Sequence, residues 1–140
     1  MRTPEEVKQE VEELYEATRD AVLGDWDIGG WTWTGCATSA GSEGGAFNIF
    51  SQRREQLLPS DPESVAKAVR AILADQGHSV TVEYIADLPK PRWVLSDPPW
   101  LAGSGPEGLL VQFTVADGYA DFSATSRCVA GDLGKLSGIE

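Results

Sequence analysis

Residues 109–130 read LLVQFTVADGYADFSATSRCVA, and this stretch decides the fold. Two runs of alternating apolar and polar residues flank Asp117-Gly118, a dipeptide that favours the tight turn of a two-residue β-hairpin. If Ala116 is paired with Tyr119, the register is fixed, because paired residues share a face of the sheet. The pairs that follow are Val115 with Ala120, Phe113 with Phe122, Val111 with Ala124 and Leu109 with Ser126. We therefore predict a hairpin with one apolar face, and Cys128 falls on that face, directed toward the core.

Two amphipathic helices are predicted upstream of the hairpin. Residues 3–6 (TPEE) form a capping box with proline at the first helical position, and Gly24 ends the first helix. Residues 60–63 (SDPE) predict a second capping box, from Ser60 to Glu63, and Gly77 ends the second helix. Apolar residues recur at helical spacing in both. They are Val7, Val11, Leu14, Tyr15, Thr18 and Val22 in the first helix, and Val65, Ala66, Ala68, Val69, Ile72 and Leu73 in the second.

Shorter alternating runs predict the remaining strands. They lie at 31–36, 46–51, 79–85 and 92–95. Five of the eight prolines fall within 86–108, and because proline cannot donate to a ladder, we expect this segment to lie at a sheet edge. The order of elements is typical of an α+β two-layer sandwich, in which two helices cover one face of an antiparallel sheet of about five strands. A length of 140 residues predicts a single domain over 1–140.

The charge balance excludes several classes of function. The chain has 11 Lys and Arg residues against 22 Asp and Glu residues, a net charge of −11. Such a surface repels nucleic-acid phosphates and anionic lipid. No apolar run approaches the roughly 20 residues that span a bilayer. We therefore predict no nucleic-acid binding and no membrane insertion by this segment.

The two cysteines, Cys36 and Cys128, are far apart in the sequence, and there is one histidine. Because a zinc site needs about four N or S ligands, we predict no metal and no cofactor. The two cysteines form either one disulfide or two buried free thiols, and the sparing use of cysteine favours the disulfide. Disulfides persist in oxidising compartments, yet residues 1–4 lead directly into a helix without a signal peptide. Either the chain is cytoplasmic with reduced thiols, or a signal or lipid-anchor segment has been trimmed; we expect the second.

The elements together resemble the LppA-like group of small envelope lipoproteins from high-GC Gram-positive bacteria. The shared plan covers most of the chain: an acidic amphipathic helix (4–22), a Trp-containing strand ending in cysteine (31–36), a middle helix (62–76) and a cysteine-bearing final strand pair (109–129). The resemblance implies an exported, membrane-tethered, disulfide-bonded domain without known enzymatic chemistry. It brings no catalytic residues. The lipid-modified cysteine of such proteins is absent, so anchoring would depend on a segment outside this chain.

Trp93 and Trp100 are the predicted binding residues. None of the five tryptophans lies in a predicted helix, and some must fill the core. Residues 98–101 (PPWL) place an aromatic tip on a proline frame, and exposed aromatic residues of this kind make good anchors for partners. Trp31 and Trp33 alternate out of phase with Cys36, so either a bulge at Gly35 intervenes or these tryptophans face away from the core.

No catalytic residue is predicted, and we expect the chain not to be an enzyme. His78 follows the end of the second helix, where we expect an exposed or capping side chain. A hydrolase using His78 with Ser and Asp is an alternative, although no GxSxG context is present.

The prediction for function is a non-enzymatic, exported or envelope-tethered binding domain whose partner is another protein or an envelope component. The acidic face of the first helix is expected to be solvated. The alternative is that this face docks a basic partner, such as a cationic toxin neutralised by an immunity protein.

Overall fold

Two long helices lie on one face of an antiparallel sheet in the computed structural model, which describes residues 2–87, 89–99 and 106–138. The elements in chain order are α1 (Pro4–Ala21), β1 (Asp27–Ala37), β2 (Glu43–Arg54), α2 (Pro62–Asp75), β3 (Thr81–Ile85), β4 (Arg92–Asp97), β5 (Leu110–Ala116), β6 (Tyr119–Thr125), β7 (Val129–Ala130) and α3 (Leu133–Leu136). The strand order is β1-β2-β6-β5-β4-β3, with β7 paired to β2. The α+β sandwich is confirmed. Its sheet has seven strands, more than the five expected, and the short α3 was not predicted.

The hairpin of β5 and β6 has the predicted register. Ala116 is paired with Tyr119, Phe113 with Phe122, and the intervening pairs follow in step. The ladder ends one pair early, because Ser126 leaves it. The Ser126 amide donates to the Phe47 carbonyl at 2.8 Å, and its hydroxyl accepts from the Phe47 amide at 2.7 Å. The chain then continues into β7, so the alternation of β6 does not extend to the residues beyond it.

The predicted cap at the start of α1 is confirmed, and the predicted cap at the start of α2 is wrong. The capping box at Thr3 is present, and Gly77, with φ +89°, follows α2 as predicted. The cap of α2 is Asp61 and not Ser60, so the predicted Ser60–Glu63 capping box is wrong. The Asp61 carboxylate accepts from the Ser64 amide at 3.0 Å, and proline takes the first helical position. The cap is therefore the Asp61 carboxylate, one residue after the predicted Ser60, and it accepts the hydrogen bond of the otherwise unpaired Ser64 amide.

The core lies between the two helices and the sheet. Every predicted core residue of α1 is buried, as are Val65, Ala66, Val69 and Leu73 of α2. Ala68 is exposed, which contradicts its predicted place in the stripe, and Ile72 is half-buried. Phe113 and Phe122 of the hairpin are fully buried beneath the helices. The apolar periodicities of helices and hairpin thus meet in one cluster.

The proline-rich segment does not place its strand at an edge, contrary to the prediction. β4 lies between β3 and β5 and pairs with both. The prolines flank the strand, at 89, 91, 98 and 99, so every residue from Arg92 to Asp97 keeps its backbone N–H. The sheet edge on this side is β3.

Trp33 faces the helices, although neither of the two predicted arrangements is present. It is paired with Phe47, is 6% exposed, and their ring centroids lie 5.5 Å apart. No bulge occurs at Gly35; the register shift of β1 lies between Ile28 and Gly30. Because the alternation is unbroken from Trp33 to Cys36, the cysteine and not the tryptophan faces away from the core.

The disulfide between Cys36 and Cys128 is present, with the Cα atoms 6.2 Å apart. It lies on the sheet face opposite Trp33: a Cβ built on Gly44, the partner of Cys36, would lie 3.0 Å from Cys128 Sγ and would clash with the Val129 carbonyl. The predicted core direction of Cys128 is therefore wrong, because it was carried over from β6, which ends three residues earlier. The bond closes one end of the sheet on its outer face.

Candidate functional site

An open cleft lies at the β3 end of the helix-covered face. Tyr84 of β3 is paired with Trp93 of β4, and their rings pack with centroids 4.7 Å apart at 41°. Tyr84 is 52% exposed. The cavity has a volume of about 580 Å³. We call it the Trp93 cleft, and its lining residues are Asp61, Pro62, Glu63, Tyr84, Pro91, Trp93 and Asp117.

Strand register and the start of α2 together create this cleft. Tyr84 and Trp93 lie on the same face as Leu95, which is fully buried. α2 packs over β4 and β5. Its first residue is Pro62, so the helix covers Leu95 and leaves Tyr84 half in water. The aromatic pair is thus an extension of the core surface beyond the helix.

A second, smaller cavity adjoins the cleft at Trp93. Its volume is about 230 Å³, and its lining residues are Glu63, Ala66, Lys67, Arg70, Val82 and Trp93. Trp93 and Glu63 line both cavities. The indole therefore presents surface to two neighbouring spaces, one with an acidic rim and one that also contains two cationic side chains.

The rim of the Trp93 cleft is anionic. Asp61, Glu63 and Asp117 line it, and no Lys or Arg is among the lining residues. Hydrogen bonds from the Ser64 amide and hydroxyl lower the pKa of the Asp61 carboxyl, so this group stays ionised. Glu63 pairs with Lys67 at 3.3 Å on the exposed surface of α2. Among the described residues, Asp61 and Asp117 form no ion pair, although Lys67 acts electrostatically on Asp61.

The structure places one of the two predicted binding residues at this cleft. Trp93 lines the cleft, whereas Trp100 lies outside the described residues. Sequence reasoning missed Tyr84 and the three carboxylates. The alternation of 79–85 placed Tyr84 on one face with Val82, but the pairing with Trp93 could not be read, because no tight turn joins the two strands.

His78 is buried, not exposed as predicted. It is 5% exposed and lies between two carboxylates: Nε2 is 3.4 Å from Glu10 Oε2, and Nδ1 is 3.6 Å from Asp97 Oδ2. Arg127 Nε lies 3.4 Å from the other Glu10 oxygen. The prediction failed because it considered α2 alone, whereas Glu10 comes from α1 and Asp97 from β4.

This cluster joins α1, β4 and the residues that follow α2 and β6. Across the described ranges, no hydroxyl hydrogen-bonds to the His78 ring, and Cys36 and Cys128 are consumed by the disulfide. The adjoining cavity of about 320 Å³ is lined by three glutamates of α1, with Gln9, Leu14, Gln76 and His78. In the same ranges, no group of three or more His, Cys, Asp or Glu side chains is arranged to hold a metal ion.

The helix-free face carries a separate polar group. Tyr119 Oη donates to Asp121 Oδ2 at 2.5 Å and accepts from Gln52 Nε2 at 3.3 Å. Burial raises the pKa of the Asp121 carboxyl. Burial, followed by the hydrogen bond to Asp121, raises the pKa of Tyr119 to about 12. Arg92 lies close enough to act on both groups electrostatically. These hydrogen bonds join Tyr119, Asp121 and Gln52 into one group on this face.

Comparison with known proteins adds no further assignment. No family model matches the chain, and no curated protein or solved structure matches it. None of the described helices is both long and apolar enough to cross a membrane. The disulfide is typical of a protein outside the reducing cytoplasm.

Proposed function

We propose that this chain is a non-enzymatic, extracytoplasmic binding domain and that its Trp93 cleft holds a Lys- or Arg-bearing segment of a basic partner protein. The observation that carries the proposal is the open Tyr84–Trp93 ring pair beneath an anionic rim. Aromatic faces attract cations, and the attraction grows as the cation loses water. Carboxylates around such a face add charge complementarity and speed association.

The molecule contains an internal example of the same contact. Lys8 Nζ lies 5.0 Å from the Phe47 ring centroid and 5.8 Å from that of Trp31, and it pairs with Glu12 at 2.8 Å. That lysine is 5% exposed. A cation between aromatic rings and a carboxylate is therefore compatible with burial in this fold. The Trp93 cleft has the same kinds of groups, aromatic rings and carboxylates, but it is open to solvent on one side.

The proposal includes a place at the cell envelope. A disulfide supports an oxidising compartment, and the resemblance to LppA-like lipoproteins implies a tether. Thiol labelling of the protein in fractions of its native cells tests this part. Unlabelled cysteines in the envelope fraction would support it, whereas two labelled thiols in the cytoplasmic fraction would contradict it.

Binding is tested with a hexaarginine peptide, with hexaglutamate as the negative control, by calorimetry and by the indole N–H resonances. We expect hexaarginine to bind and to shift the Trp93 resonance. Trp93→Ala should weaken binding at least thirtyfold, because truncating an aromatic anchor costs about 2 kcal/mol or more. Hexaglutamate should not bind.

A charge-neutralising pair of substitutions isolates the rim. Asp61→Asn keeps a good helix cap, and Asp117→Asn keeps a good turn dipeptide with Gly118. The double variant should fold normally, bind hexaarginine about tenfold more weakly and show a reduced dependence on salt. Unchanged affinity would contradict the proposal.

The matched control removes two charges from α1 instead. Glu16→Gln with Asp20→Asn alters the net charge equally, and both residues are exposed. It should leave binding nearly unchanged. If this control weakens binding and the rim variant does not, the acidic face of α1 is the docking surface, as the immunity-type alternative requires.

A further inference from the structure

β3 ends the sheet on the side of the Trp93 cleft. Among the described strands it pairs only with β4. A strand at a sheet end has backbone N–H and C=O groups directed away from its neighbour, and these can pair with another chain. Val82 and Tyr84 of this strand line the two cavities at Trp93. A segment paired with β3 would therefore carry every second side chain past the cleft.

The two ends of the sheet differ in regularity. β1 has a register shift between Ile28 and Gly30, and such bulges discourage pairing with another chain. β3 pairs with β4 without a shift, from Thr81 opposite Ser96 to Ile85 opposite Arg92. β1 is regular only from Gly30 to Ala37, and α3 contacts it, whereas β3 is regular along its whole length.

We propose that the basic partner segment binds β3 as an added strand, an inference that rests on the proposed function of the Trp93 cleft. Backbone hydrogen bonds would align the partner segment with β3, and the contacts of its alternate side chains would determine which sequences bind. On the cleft face, a lysine or arginine meets Tyr84 and the carboxylates of Asp61 and Glu63. On the other face, the exposed Glu83 carboxylate lies on β3 itself.

Charge complementarity decides the occupant. Both faces of the β3 edge carry carboxylates, and the chain as a whole has a net charge of −11. A second copy of this acidic chain would be repelled. Because the cleft face combines the Asp61 and Glu63 carboxylates with the Tyr84 ring, the segment that fits is extended and has basic residues at the alternate positions that face the cleft.

The test uses an acetylated, amidated heptapeptide in which lysine and threonine alternate. Two N-methylated versions are compared with it, one methylated at the lysine nitrogens and one at the threonine nitrogens. N-methylation removes the backbone donor and keeps the side chain. Because an added strand directs only alternate N–H groups toward its neighbour, one version should bind at least tenfold more weakly and the other nearly as well as the parent.

Amide hydrogen exchange provides a second readout. Binding of the parent peptide should slow exchange at alternate residues of β3 and leave β1 unchanged. Equal binding of all three peptides, or an equal loss in both methylated versions, would overturn strand addition. Equal binding that still depends on Asp61 and Asp117 leaves the proposed function intact, whereas a parent peptide that does not bind, together with no binding of hexaarginine, overturns both.

Discussion

Aromatic residues occupy both ends of the helix-covered face, and the two ends differ in what lies above them. At the β1 end, Trp33 and Phe47 pack with Tyr15 of α1 nearby, and Trp33 is 6% exposed. At the β3 end, Trp93 packs with Tyr84, which is 52% exposed. Each end has a tryptophan packed against a six-membered aromatic ring, that of Phe47 or that of Tyr84. The position of the helices therefore decides which ring pair becomes core and which becomes a cleft.

The covered end is also the one with a covalent bond. Cys36 and Cys128 join β1 to the segment that enters β7, far along the sheet from β3. At the open end, in the described part of the chain, ladder pairing and the packing of α2 on β4 hold the strands without a covalent link. This difference predicts that changes at the covered end alter stability, whereas changes at the open end alter binding.

The largest expected effect follows from removing the disulfide. Cys36→Ser with Cys128→Ser should lower the free energy of unfolding by about 4–5 kcal/mol, because the unfolded chain regains the freedom of a long closed loop. Urea unfolding measures this. The folded variant should bind hexaarginine as the parent does; a loss of affinity under conditions where it is folded would show that the two ends are coupled.

The next effect compares the two tryptophans directly. Trp33→Ala should cost about 3–5 kcal/mol, the usual range for truncating a buried aromatic residue. Trp33→Phe should cost much less, since Trp33 Nε1 is buried without a hydrogen-bond partner in the described ranges. Trp93→Ala should cost about 1 kcal/mol by urea unfolding, the central value for single substitutions, because Trp93 is only partly buried. Similar costs at the two sites would remove the distinction between core and cleft.

The third effect concerns Asp121 on the helix-free face. Its side chain is partly buried although no helix covers it, so it can be compared with the two ends of the helix-covered face. The raised pKa of Asp121 means that the folded state holds its proton more tightly than the unfolded state. This contribution to stability is present below the unfolded pKa of about 3.9 and is lost as pH rises through the folded pKa. Asp121→Asn should therefore gain stability relative to the parent across that window, by about 1.4 kcal/mol for each pKa unit of separation. Urea unfolding at a series of pH values measures the difference; a constant difference would contradict the raised pKa.

The smallest stability effect is expected at Tyr84. Tyr84→Ala should change the free energy of unfolding by about 0.5 kcal/mol, as is usual for exposed positions, while weakening hexaarginine binding. Tyr84→Phe keeps the ring face and should preserve binding. A large loss of stability in the alanine variant would show that Tyr84 belongs to the core. The Trp93 cleft would then no longer be a candidate binding site.

Local sequence signals predicted the fold well. The dipeptide Asp117-Gly118 fixed the hairpin register, and the spacing in α1 identified its buried face. The errors arose where one segment depends on another. Cys128 was assigned a face from a strand that ends at Thr125, and His78 was judged from α2 without Glu10.

The candidate site was predicted only in part. Trp93 was singled out because it lies among prolines, yet its partner Tyr84 was treated as an ordinary strand residue. Pairing across a long connection depends on loop closure and on the competing strands, neither of which is visible in a single stretch of sequence.

The sequence by itself determined the Thr3 cap, the hairpin and most of the two apolar stripes, because each arises from residues a few positions apart, and its composition determined the acidic charge. Only the tertiary structure decided which rings are covered, which strand is the edge and which carboxylates surround Trp93. These features depend on where α2 begins above the sheet and on which strands are neighbours, and both are set by packing between distant segments.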